Sequence, residues 1–82
     1  MSAPQPYNGH HCWNCWNVAL WLGNDEPLYR AAMSYVYQIR DKQINATEAA
    51  RRFIKSHALE TTPDGARYTV RAVRSALIGF LE

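Results

Sequence analysis

The stretch NDEPLYRAAMSYVYQI, residues 24–39, decides the fold class. It opens with an asparagine and an aspartate, either of which can cap a helix, and Pro27 fits the first turn because its missing N–H has no cost there. Apolar side chains then recur at steps of three and four, the period of a helix with one core-facing stripe. The members of this stripe are Leu28, Ala31, Ala32, Tyr35, Val36 and Ile39. The stretch therefore predicts an amphipathic helix that ends near Arg40.

Another helix is predicted before this stretch, from His10 or His11 to Leu22. Gly23 should end it, since glycine favours the left-handed conformation found at helix C-termini. The segment is apolar nearly all round, as in a helix that is central in a bundle or that meets a partner with a second face. Its core face is expected to carry Trp13, Trp16 and Leu20, widened by Cys12, Cys15, Ala19 and Leu22. Residues 1–9 contain two prolines and a glycine and are expected to form a flexible N-terminal arm.

Two helices are predicted after it. One begins at NATE, residues 45–48, whose asparagine can cap the helix and whose glutamate can reach back to it. Its inner face is expected to include His57. The last begins at TTPDG, residues 61–65, with Thr62 as the cap and Pro63 in the first turn. Because no strand-like alternation occurs, residues 10–82 are predicted to form an all-α, compact single-domain bundle of about four helices with short loops.

Charge is distributed unevenly along the chain, although the net charge is only +2. Residues 1–50 carry three basic and four acidic side chains, whereas residues 51–82 carry six basic and three acidic ones. The C-terminal part is thus expected to face an anionic partner. Its basic side chains recur on one face of each of the last two predicted helices, as Arg51, Arg52 and Lys55 and as Arg67, Arg71 and Arg74.

Tyr37 lies off the apolar stripe of residues 24–39 and is expected to be exposed. Tyrosine and arginine are enriched at the energetic centres of protein interfaces. Tyr37 is therefore a candidate partner-binding anchor beside the arginine faces.

The segment HHCWNCW, residues 10–16, raises the question of metal binding or redox chemistry. Zinc needs four ligands, and the candidates are Cys12, Cys15, His11 (or His10) and His57. No second pair of ligands follows, and the cysteines lie in an apolar helical stretch where they can simply pack. A redox pair would usually follow a strand, and no nucleophile–base motif surrounds these residues. No metal, cofactor or enzymatic activity is therefore expected.

Composition narrows the class of protein. The chain is 48% hydrophobic and 20% charged, too apolar for a disordered chain, and two cysteines are too few for a disulfide scaffold. No secretory signal and no stretch long enough to cross a membrane can be recognised. The expected location is the cytoplasm.

Two strings together resemble a known family: WNVALWLGNDEPLYR, residues 16–30, and TPDGARYTVRAVRSAL, residues 62–77. They are similar to the pattern NVALWLxNDExLYR followed by TPDGxxY, found in small helical proteins of unknown function from bacteria, phages and plasmids. The resemblance implies no activity. Small proteins of mobile elements often bind a host machine stoichiometrically, and anti-CRISPR proteins are a leading case, so fold-level analogy points to an inhibitor of that type.

Two hypotheses follow for the function. In the first, the protein is a non-enzymatic inhibitor that binds a host protein or ribonucleoprotein complex, such as a CRISPR effector subunit, through its basic and aromatic helical face. In the second, the same arginines bind nucleic acid, with affinity that falls steeply as salt rises. Both hypotheses are compatible with a monomer or a homodimer.

Overall fold

Residues 13–82 are described by the structure, which is a computed structural model. They form four helices: α1 at Trp13–Asn24, α2 at Glu26–Arg40, α3 at Ala46–Ser56 and α4 at Val70–Leu81. This part of the chain contains no strand, so the prediction of an all-α single-domain bundle is confirmed. The expected helix start at His10 or His11 and the N-terminal arm lie outside the described residues. None of the four helices is both long and apolar enough to cross a membrane.

Side-chain caps begin α2 and α3 where the sequence predicts them. The Asp25 carboxylate accepts a hydrogen bond from the Leu28 N–H at 3.1 Å, and the Asn45 amide oxygen accepts one from the Glu48 N–H at 2.8 Å. Such caps satisfy N–H groups that have no partner inside the helix. Glu48 does not complete the expected capping box, because its carboxylate accepts from Arg52 one turn further on, at 3.0 Å.

The core is centred on α4, which contacts each of the other three helices. Alanines bring α3 and α4 close together, since Ala49 and Ala50 on one helix and Ala72 and Ala76 on the other are buried. The predicted stripe of α2 also faces inward: Ala32 and Val36 are fully buried, and the other members pack against the core. The large fully buried side chains are Val18, Leu22, Val36, Phe53, Val73 and Leu77.

The predicted core face of α1 is confirmed in part. Cys15 and Leu22 are buried as expected. Its predicted centre is wrong, because Trp13 is 40% exposed and Trp16 and Leu20 are only half-buried. The buried face carries Asn17 and Val18 between Cys15 and Leu22. Because α1 is apolar nearly all round, its hydrophobic period does not show which face is buried. In the structure the buried face is the one that carries Asn17.

The predicted start of the last helix is also wrong. Thr62 and Pro63 belong to a tight turn, in which the Gly65 N–H donates to the Thr62 carbonyl at 2.9 Å. The Thr62 N–H donates to the Ala66 carbonyl at 2.8 Å, so the chain reverses as in a short hairpin. Helix α4 begins only after Thr69, whose hydroxyl accepts from the Ala72 N–H at 3.0 Å.

Replacement of Gly65 by any other residue should lower stability. Its φ is +95°, a region that side chains with a Cβ rarely adopt. We expect Gly65→Ala to lower the free energy of unfolding by about 1 to 2 kcal/mol, measured by urea denaturation. Gly79→Ala is the matched control: this exposed helical glycine has open space around it, so the change should stabilise by about 0.5 to 1 kcal/mol. Equal effects at both positions would contradict the strained turn.

Candidate functional site

The outer face of α4 carries two of the predicted arginines. Arg71 and Arg74 are exposed, on the side opposite the buried residues of the helix. With Ser75 and the half-buried Ile78 they line a shallow depression of about 230 Å³. The ion pairs between residues 13 and 82 include neither arginine, so both guanidinium groups are available to a carboxylate or phosphate outside the chain.

Arg67 does not belong to that helical face, contrary to the prediction. It lies in the segment before α4, where its backbone is held by the side chain of Asn14. The Asn14 amide donates to the Arg67 carbonyl and accepts from the Arg67 N–H, both at 2.8 Å. The predicted series of Arg67, Arg71 and Arg74 on one helix is therefore reduced to a pair, with Arg67 exposed on the preceding segment.

The basic residues of α3 are exposed as well, but part of their charge is neutralised. Glu48 pairs with Arg52 at 3.0 Å and with Arg51 at 4.0 Å. Lys55 is outside these pairs and lines a shallow depression with Arg52, Tyr35 and Ser56. The α3 face is thus a mixed ionic network, of the kind usually found on a solvated helix.

Tyr37 is 55% exposed, as predicted, and the Arg40 guanidinium lies 5.8 Å from its ring centroid. It lies on one stripe of α2 with the exposed Tyr29 and the half-buried Met33, at intervals of one helical turn. At one end of the stripe Tyr29 packs against α4: its ring contacts the Phe80 ring edge-on, with 5.7 Å between the ring centroids. Tyr37 therefore has Arg40 of its own helix as its neighbour, rather than an arginine of α3 or α4.

The candidate metal ligands are not brought together in the described residues. Cys15 is buried in the core. His57 follows the last turn of α3 as its exposed C-cap, where its ring meets Phe53 edge-on at 5.1 Å, so its predicted inward position is wrong. Cys12, His10 and His11 lie outside the described part, within which no three His, Cys, Asp or Glu side chains are placed to hold a metal ion.

A polar network, which sequence reasoning missed, joins α1 to the turn at residues 62–65. The buried Asn17 accepts from the Thr62 hydroxyl at 2.6 Å and donates to the Asp64 carboxylate at 2.9 Å. The Trp21 indole N–H donates to the same carboxylate at 2.9 Å. These two hydrogen bonds, Asn17 first, hold the pKa of Asp64 below its usual value of 3.8. Their stabilisation is present above that value and is lost as the pH falls through the lowered pKa.

Beside this network is a half-open cleft of about 350 Å³, between the α1–α2 junction and the segment that follows α3. Tyr68 forms part of its wall and is only 8% exposed. Burial, and then the nearby charge of Asp25, raise the pKa of Tyr68, so its hydroxyl stays protonated at neutral pH. The other side chains that line the cleft include Trp21, Asp25, Leu28, Glu60 and Pro63.

The two strings singled out in the sequence meet at this cleft. Trp21 and Asp25 come from residues 16–30, whereas Pro63 and Tyr68 come from residues 62–77. A family model matches residues 3–79, a span that includes both strings and the arginine pair of α4. The chain belongs to DUF7249, a family of unknown function. Searches of curated proteins and of solved structures found no match. Membership therefore assigns no activity.

Proposed function

We propose that the protein acts by stoichiometric, non-catalytic binding and that the outer face of α4 meets an acidic surface of a protein partner. One observation carries this proposal: Arg71 and Arg74 are exposed one turn apart with no carboxylate partner in the described chain. Arginine presents a planar fork that binds carboxylates in a bidentate manner, and Ile78 adds an apolar contact between the two charges.

The α4 face is a better candidate for partner binding than the α3 face because its two arginines are in no ion pair of the described chain. Arg51 and Arg52 already share Glu48, so a partner would have to compete with that carboxylate. Lys55 and Arg67 are secondary contact candidates at the edges of the basic surface. Tyr37 is a candidate anchor on α2, where an exposed ring beside Arg40 has the composition of an interface hot spot.

The specific form of the proposal is an inhibitor that occupies a host defence complex in the cytoplasm, in the manner of an anti-CRISPR protein. Its support is the small helical fold, the free arginine pair and the resemblance to proteins of phages and plasmids. The partner would be a CRISPR effector subunit whose acidic surface binds Arg71 and Arg74. Expression in a CRISPR-immune bacterial strain should then restore infection by the targeted phage, whereas unchanged immunity across the effector types would reject this form.

Nucleic acid is the alternative partner, because the same fork also fits phosphate. The two partners differ in their response to salt. Binding to phosphate releases counterions, so affinity for any DNA or RNA should fall steeply as salt rises. A folded protein partner that makes apolar contacts with Ile78 should still be bound at high salt.

A pair of charge-matched variants tests the surface. We expect Arg71→Ala/Arg74→Ala to abolish capture of a partner by the tagged protein from host lysate, because it removes both unpaired guanidinium groups. Arg51→Ala/Arg52→Ala removes the same charge from α3 and should retain capture. Both variants change exposed residues, so their unfolding free energies should stay within about 0.5 kcal/mol of the parent.

Capture is measured by mass spectrometry of the retained proteins, at low and at high salt. Loss of the partner from the α4 variant alone supports the proposal. Equal loss from both variants would show that net charge, and not the α4 face, determines binding. Retention of nucleic acid alone, and only at low salt, would favour the alternative.

A further inference from the structure

The cleft beside Tyr68 has the opposite character to the basic faces. Two acidic residues, Asp25 and Glu60, line it, and none of the lining residues is basic. The Asp64 carboxylate lies directly behind one wall, bonded to the Trp21 indole at 2.9 Å. A half-enclosed space between low-dielectric walls concentrates the field of such charges, so the cleft attracts a positive group.

The walls between these carboxylates are apolar and aromatic. Trp21 and Leu28 approach from α1 and α2, and Leu59 and Pro63 approach from the segment between α3 and α4. Because the indole N–H of Trp21 is bonded to Asp64, the ring is fixed in the wall. Aromatic rings attract organic cations, and apolar walls accept an alkyl chain but offer little to a hydrated metal ion.

Two polar atoms in the cleft are free to meet a ligand. The Tyr68 side chain is buried apart from its cleft side, and its hydroxyl has no hydrogen-bond partner among residues 13–82. The cap of α2 uses only Oδ1 of Asp25, which leaves Oδ2 as an acceptor. A protonated phenol and a carboxylate that line the same cleft can each accept an N–H group from one cation.

We propose that this cleft binds an organic cation: an alkylguanidinium or alkylammonium group with its charge between Asp25 and Glu60 and its alkyl chain against Trp21 and Leu28. The volume of about 350 Å³ is at the lower end of the range for small-molecule sites, which suits a ligand of this size. The group belongs either to a free small amine or to a basic side chain of a partner. The inference is independent of the basic face of α4, because no residue of that face takes part.

The test is a titration with butylguanidinium, a singly charged alkylguanidinium, followed by NMR of the indole N–H groups. The Trp21 indole signal should shift in a saturable manner, while those of Trp13 and Trp16, which do not line the cleft, should stay unchanged. Butylurea is the uncharged control probe and should produce no saturable shift at the same concentrations. A second titration with N-acetylarginine methylamide models the side chain of a partner protein.

Charge-neutralising variants locate the binding. Asp25→Asn keeps a capping oxygen for α2, and we expect it to weaken binding of butylguanidinium about tenfold, as loss of a charge-assisted hydrogen bond does. Glu60→Gln should act similarly, and Tyr68→Phe should weaken binding about threefold through loss of its acceptor oxygen. The matched control is Asp41→Asn, which removes the same charge at the other end of α2, about 22 Å away, and should leave affinity unchanged.

Each outcome decides the proposal. Saturable binding that needs Asp25 and Glu60 supports it. Tighter binding of butylguanidinium then indicates a free small cation, and tighter binding of the capped arginine, which has the same charge, indicates a partner side chain. The absence of a saturable Trp21 shift with either probe would overturn it, as would equal binding of butylurea or equal weakening by Asp41→Asn. If the Arg71→Ala/Arg74→Ala variant kept its partner, the proposed function would fail, but cation binding in the cleft would still stand.

Discussion

Asn17→Ala should lower the free energy of unfolding by about 3 kcal/mol. Asn17 is 1% exposed and makes hydrogen bonds to both Thr62 and Asp64, one of which has an ionised acceptor. The truncation removes both hydrogen bonds and leaves the buried Thr62 hydroxyl without its acceptor, and an unsatisfied buried polar group alone costs about 1 to 3 kcal/mol. Thermal unfolding should shift down by about 12 °C or more for a domain of this size.

The double-mutant cycle with Thr62→Val separates this network from general packing. If Asn17 and Thr62 act as a pair, the double variant should be more stable than the sum of the two single losses predicts, by about 1 kcal/mol or more. Asn14→Ala is the matched comparison, because Asn14 also bonds the segment before α4 but is less buried, and it should cost about 1 kcal/mol. A loss below about 0.5 kcal/mol for Asn17→Ala would reject the network as a source of stability.

Phe53→Ala should be the most destabilising single truncation, with a loss of about 4 kcal/mol. Phe53 is the largest fully buried side chain, stacked on Tyr35 at 5.3 Å between ring centroids. Truncation removes its burial and leaves a cavity between α2, α3 and α4 that the surrounding helices fill only in part. Since small domains have total stabilities of about 5 to 15 kcal/mol, a substantial unfolded fraction is expected in mild denaturant.

Two comparison variants identify the cause. Phe53→Leu preserves most of the volume and should cost only about 1.5 kcal/mol in the same urea titration. Tyr37→Ala removes an equally large ring from an exposed position and should change stability by no more than about 0.5 kcal/mol. Similar losses for Phe53→Ala and Tyr37→Ala would mean that Phe53 is not the centre of the core.

Much of the helical order could be predicted because the signals are local. Asp25 and Asn45 cap helices through atoms three residues away, and the stripe of α2 repeats with a helical period in the sequence itself. The exposure of Arg71, Arg74 and Tyr37 follows from the same period. These properties need no knowledge of how the helices pack.

The start of α4 could not be decided locally. Proline followed by aspartate fits the first turn of a helix, but proline, aspartate and glycine in succession also fit a tight turn. The turn is formed here because Asp64 and Thr62 bond to Asn17, more than forty residues earlier in the chain. Thr69, a capping residue as good as Thr62, then begins the helix.

The cleft was beyond sequence reasoning for the same reason. Its wall contains Glu60, Pro63 and Tyr68, and the last two were expected to lie in the fourth helix. Because that segment is a loop, Pro63 and Tyr68 line a concave site. The predicted cap, Thr62, bonds to Asn17 of α1. Asn17, in turn, is one of three asparagines in an otherwise apolar helix, and only its distant partners explain why it is the buried one.

The polar network between α1 and the turn at residues 62–65 can form only late in synthesis, because its two sides are far apart in the chain. Trp21 and Asp64 are 43 residues apart, and ribosomes add about 5 to 20 residues per second. For several seconds α1 is therefore available outside the ribosome without the acceptor of its indole or the α4 surface that covers Val18 and Leu22. Chaperones that hold nascent apolar segments should bind this helix first and release it when residues 62–81 have emerged.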